Sequence, residues 1–128
     1  MTEDLTKRGR LLTQLRKACL RLPETGETVK WGNPTFLAGK KQFAVLDRYH
    51  DRWCIAFLAK PADQKQLLAK PGFFAAPYAA KYGWVCRDAE GRLNWKEIEK
   101  LILDSYRLVA LKRMITELDG LDGSGGRR

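Results

Sequence analysis

The sequence predicts one domain in which a small sheet is covered by helices, and three observations lead there. Apolar residues recur at helical spacing near the start, at Leu11, Leu15, Ala18 and Leu22, and again at Ile98, Leu101 and Ile102. Between them lie short strand-like runs separated by glycine-bearing turns. The length of 128 residues suits one unit with a single core.

The first helix is expected from about Asp4 to Leu22, with Leu12 and Cys19 widening its apolar face and Pro23 stopping it. Arg10, Gln14, Lys17 and Arg21 form a polar stripe beside that face. Glu27–Trp31 reads as a strand, Gly32-Asn33-Pro34 as a turn and Thr35–Ala38 as a second strand. Gly39-Lys40, with glycine first, fits a type II′ hairpin. Lys41–Asp47 follows as the third strand, Arg48–Asp51 as a polar loop and Arg52–Leu58 as the fourth strand. Alternation sets Trp53, Ile55 and Phe57 against Cys54, Ala56 and Leu58, and Phe43 and Val45 against Ala44 and Leu46. Both faces of the sheet are therefore expected to be partly buried, with the first helix covering one of them.

Pro61 suits the first position of a short helix that ends before Pro71-Gly72. From Lys70 to Val85 the chain is too irregular for a helix and too apolar for a solvated loop. Phe73, Phe74, Tyr78 and Tyr82 are expected to pack on one face of the sheet and shape its concave side. A fifth strand is expected at Trp84–Arg87. Asn94 with Glu97 three residues on resembles a capping box, opening a helix that buries Trp95, Ile98, Leu101 and Ile102. A change of period near Asp104-Ser105 predicts a bend or a second helix ending near Met114–Leu118. Residues 1–118 thus form the domain, and the glycine-rich 119–128 reads as a flexible tail.

The charge is strongly basic, with 24 Lys and Arg against 15 Asp and Glu, a formal +9. Such an excess favours polyanionic partners or simple solubility. Residues 1–22 carry six basic and two acidic side chains, and residues 59–92 six and three. Cys19, Cys54 and Cys86 are odd in number and set among apolar neighbours, as expected of free buried thiols in a reducing, cytoplasmic setting. No signal-peptide pattern and no apolar run of membrane-spanning length is present in the sequence. His50 is the only histidine, and no cysteine pair has metal-ligand spacing. No metal, cofactor or catalytic set is predicted, and the expectation is a protein that is not an enzyme.

Three ordered segments resemble the MmcQ/YjbR family of small bacterial proteins. They are Trp31–Phe36 with Gly39–Phe43, Phe73–Tyr78 with Gly83-Trp84-Val85, and Asn94-Trp95 with Asp104–Ala110. The resemblance spans roughly residues 8–114, with departures at Ala76, Ala80-Lys81 and Leu111. It implies an α+β fold of an N-terminal helix, an antiparallel sheet of about five strands and helices packed on it, like that of secretion chaperones. Family members are generally described as DNA-binding, through a double wing of sheet and loops, and the family carries no agreed catalytic residues.

Two functional readings follow. In the first, Lys40, Lys41, Arg48, Arg52, Lys81 and Arg87 contact the phosphate backbone of DNA, giving weak or shape-based specificity and a steep salt dependence. In the second, Trp31, Thr35, Tyr78, Trp84 and Tyr106 line a pocket for a small ligand or an acidic protein. The first requires the cations to converge on one surface.

Overall fold

The computed structural model of the protein describes residues 2–124, with side chains from Leu5 to Leu121. Among the described residues four helices and six strands make an α+β domain, and every strand pairing is antiparallel. Helix α1 (Thr2–Leu20) stops short of Leu22. The hydroxyl of Thr25 donates to the carbonyls of Cys19 and Leu22 at 3.0 and 2.8 Å, taking acceptors that a helix end leaves open.

Strands β1 (Thr25–Lys30), β2 (Asn33–Ala38), β3 (Lys41–Tyr49) and β4 (Arg52–Leu58) form three successive hairpins with two-residue turns. Trp31-Gly32 and His50-Asp51 have positive φ at both residues, 54° and 80° and then 53° and 63°. That is the type I′ geometry, whose twist matches the flanking strands. The first turn is therefore not Gly32-Asn33-Pro34: Asn33 and Pro34 already pair with Lys30 and Val29. The expected loop Arg48–Asp51 shrinks likewise, because Arg48 and Tyr49 pair with Trp53 and Arg52. At Gly39 φ is +61°, in keeping with the expected II′ turn.

After β4 come α2 (Pro61–Leu68), β5 (Phe73–Ala75), a 3-10 turn at Ala80–Tyr82 and β6 (Trp84–Asp88). The sheet order is β1-β2-β3-β4-β6-β5, six strands rather than about five. The additional strand, β5, is three residues long, too short to show an alternating pattern. Gly72 turns the chain into it with φ +87°, and a Cβ there would lie 2.2 Å from Nη1 of Arg87.

One face of the sheet carries Phe36, Ala44, Leu46 and Ile55 into the main core with Leu15 and Cys19 of α1. Ile98, Ile102 and Tyr106 of α3 (Trp95–Val109) and Met114 and Leu118 of α4 (Lys112–Ser124) complete that core. Asn94 caps α3, its side-chain oxygen accepting from the amides of Lys96 and Glu97 at 3.1 and 3.3 Å. Ala110, with ψ 146°, ends α3, so the period change marks a second helix. Residues 119–124, expected in the tail, continue α4, where Met114 and Leu118 anchor successive turns; residues 125–128 lie outside the described residues.

The other face carries Cys54, Ala56 and Cys86, covered by Ala76, Phe74, Tyr49 and Trp84 and not by a helix. Both faces are thus partly buried, but the partition of β3 differs from the alternation. Phe36 pairs with Ala44 and Leu37 with Gln42, so Phe43 is a surplus residue, a β-bulge. Phe43 and Ala44 both enter the helix-side core, and Val45 goes to the open side. Buried Ser105 serves this irregularity: its hydroxyl donates to the Phe43 carbonyl at 2.6 Å and accepts from the Leu58 amide at 2.9 Å. All three cysteines are free and buried.

Candidate functional site

The six predicted DNA-contacting cations do not form one surface. Lys40 and Lys41 sit at the β2–β3 turn, and Arg48 lies seven positions along β3, roughly 20 Å away at the extended rise of a strand. Arg48 and Arg52 are at the same end but on opposite faces, since Arg48 pairs with Trp53 and Arg52 with Tyr49. Arg87 pairs with Ile55 and so points to the helix side, while Lys81 belongs to the segment over the open side. Several also have local partners. The Arg48 guanidinium lies 4.7 Å from the Trp53 ring centroid, and Arg87 lies 5.2 Å from that of Phe73. Arg52 pairs with Asp88 at 2.6 Å, and the ammonium of Lys81 is 5.2 Å from the Tyr82 ring.

The predicted pocket residues fare differently. Trp31, Thr35, Tyr78 and Trp84 line one cavity of about 400 Å³ on the open face of the sheet. Tyr106 is on the other side, fully buried, its ring edge-on to Phe43 at 5.5 Å and its hydroxyl donating to the Pro23 carbonyl at 2.7 Å. Its helical position behind Ser105 turns it into the core, so it is not a pocket residue.

The cavity has β2 and β3 for a floor and the segment after β5 for a wall. Thr35 is buried, its hydroxyl donating to the Asn33 carbonyl at 3.0 Å. Asn33, Gln42, Asp47 and Tyr49 add a polar set that the sequence pattern did not single out. Asp47 Oδ1 accepts from the Asn33 amide at 3.1 Å and the Arg48 backbone N–H at 2.7 Å, which fixes the carboxylate. Burial, reinforced by the neighbouring Asp47, raises the Tyr49 phenol above its ordinary range and keeps it protonated. Gln42 and Asp47 were missed because the alternation across β3 was read without the bulge, and Asn33 and Tyr49 because they were read as turn and loop.

Trp31 and Tyr78 both line the cavity, and neither packs. Trp31 is 98% exposed and Tyr78 97%, each on left-handed backbone with φ of 54° and 63°. Tyr82, at 70% exposed, is nearby in sequence. The expectation that all four aromatics of the 70–85 segment pack on the sheet therefore holds for Phe73 and Phe74 and fails for the two tyrosines. Lys30 is at the rim of the cavity. Among the described residues no cluster of three His, Cys, Asp or Glu could hold a metal ion, and no helix is long and apolar enough to cross a membrane.

The YjbR family model matches residues 20–108. Among solved structures, a Deinococcus radiodurans protein with a DUF419 domain is 23% identical, with a TM-score of 0.68, over 84% of this chain and 87% of that one. A Pseudomonas syringae protein is 24% identical, with a TM-score of 0.62, over 79% and 97%. These likenesses bear on the fold alone. No curated protein matches the sequence.

Proposed function

This chain belongs to the YjbR family, and from that premise we propose that it is a non-enzymatic module that binds unpaired nucleobases on the open face of its sheet, with weak sequence preference. The observation that carries the reading is the pair of almost fully exposed aromatic side chains, Trp31 and Tyr78, that line one cavity. Left-handed backbone at a residue with a bulky side chain costs about 1–2 kcal/mol. Packing does not offset it at either position, because both side chains lie in solvent. Exposed rings beside cations are what single-stranded nucleic acid uses, since every base has a face to stack. Lys30 at the rim and Lys81 in the Tyr78 segment supply charge, in a chain of formal +9.

Duplex binding through the six dispersed cations is the weaker form of the DNA reading, because a phosphate backbone needs them on a common plane. Fluorescence anisotropy of a labelled oligothymidylate, alone and as a duplex with its complement, tests the choice. The single strand should bind more tightly. With two lysines at phosphates, log affinity should fall with log salt at a slope of about −1.4. A duplex bound as well as the strand, or neither bound above the level of an equally basic protein, overturns the proposal.

One observation favours a small-molecule reading. Gln42 lines the cavity, its side chain making no hydrogen bond among the described residues, beside the fixed Asp47 carboxylate. Such a floor suits one compact ligand with hydrogen-bonding groups. On that reading nucleotide monophosphates raise Tm as much per bound base as an oligonucleotide does.

A further inference from the structure

A second cavity, of about 480 Å³, lies between α2 and α3 over β4. Its floor is apolar: Phe57 and Leu67 are buried there, and Leu101 and Leu108 come from α3. Its rim is basic. Lys60 and Lys70 bracket the two ends of α2, while Lys100 and Arg107 occupy one stripe of α3. Against these four cations stand Asp63 and Asp104. Asp104 already pairs with Lys100 at 3.0 Å, and Arg107 with Asp119 at 2.9 Å. Both pairs are exposed to solvent and exchange readily with another anion.

We propose that this groove binds an anionic amphiphile, a medium-chain or long-chain carboxylate whose tail lies on the leucine floor and whose head meets the basic rim to which Lys60 and Lys70 belong. Charge complementarity selects an anion, since the rim carries four cations and two acids. Size selects a single chain over a protein partner. A cavity of a few hundred Å³ takes one small ligand, whereas a stable protein interface buries roughly 1,000 Å² or more. Exposed Leu108, at the end of the floor, is the apolar surface such a tail covers. The site lies across the sheet from the Trp31–Tyr78 cavity, so the inference stands apart from the nucleobase reading.

Isothermal titration calorimetry with hexanoate, octanoate, decanoate and laurate, all below micelle formation, tests it. Each buried methylene should tighten binding by about fourfold until the groove is filled. Dodecylammonium should bind at least tenfold more weakly than laurate. The double substitution Lys60→Glu with Lys70→Glu, at two exposed positions, should weaken laurate at least tenfold while leaving the melting temperature and oligothymidylate binding as they were. Affinity independent of chain length, equal binding of the cationic amphiphile, or a charge-reversed protein that keeps its laurate affinity each overturns the proposal.

Discussion

Replacing Trp31 by Asn separates what the turn needs from what the cavity needs. Trp31 holds the first position of a type I′ turn with φ 54°, and Gly32 holds the second with φ 80°. Asn-Gly is the pair this turn prefers, because asparagine tolerates the left-handed region. The side chain removed is 98% exposed, so little packing is lost. Relief of left-handed strain, about 1–2 kcal/mol for an ordinary residue, is only partly recovered with asparagine. A gain of about 1 kcal/mol is expected, raising Tm by roughly 3–6 °C in a domain of this size. The same change removes one stacking surface, worth about 1–3 kcal/mol per base. Oligothymidylate affinity should therefore fall about 5- to 150-fold. Differential scanning fluorimetry and anisotropy read the two effects on one sample. A variant that melts lower than the parent refutes the strain argument, and one that keeps its affinity refutes the stacking site.

The remaining expectations concern the scaffold. Ser105→Ala leaves the Phe43 carbonyl and the Leu58 amide without their side-chain partner, and urea unfolding should show a loss of about 2–4 kcal/mol. Tyr106→Phe removes one buried bond to Pro23 and should cost about 1–2 kcal/mol with oligonucleotide affinity unchanged; a drop in affinity would return Tyr106 to the cavity. Glu90 is held below the usual carboxylate range by its hydrogen bond to Lys7, then by the Trp53 amide. A depressed folded-state pKa gives stability that is present above the unfolded value and lost as pH falls through the folded one. Glu90→Gln should accordingly lower Tm at about pH 7, and the difference from the parent should shrink as pH falls below the ordinary carboxylate value and through the lower folded one. A gap of constant size across that range would mean the carboxylate's charge is not what matters.

Much of the fold was legible because its signals are local. Arg52–Leu58 pairs over the full range its alternation predicts, and Asn94 caps its helix as its spacing to Glu97 suggests. The II′ turn at Gly39 needed one residue type in one place. What was hidden is tertiary. Strand β5 exists only because β6 offers it an edge, and three residues between Gly72 and Ala76 carry no period of their own. Helix α4 runs through Gly120 because Met114 and Leu118 are buried against the main core. Four of the five proposed pocket residues meet, since their segments fold over one face of the sheet. Tyr106 does not, because a helix position fixes its direction and the sequence alone gives no view of which side that is. The cations illustrate the same limit: closeness in composition says nothing about which side of a strand each residue takes.

The surplus residue in β3 reaches well beyond its own kink. Side chains along a strand keep alternate time, and an additional residue would reverse every later position unless two neighbours take the same face. Gln42 before the kink and Val45, Asp47 and Tyr49 after it share the open side although Gln42 lies an odd number of positions from Val45, because Phe43 and Ala44 face the core together. Deleting that single residue would restore strict alternation, leave Asp47 on the open side and Leu46 in the core, and remove the ring that meets Tyr106 edge-on. The kink thus adds an aromatic ring to the dry core while the polar set of the hollow keeps its side.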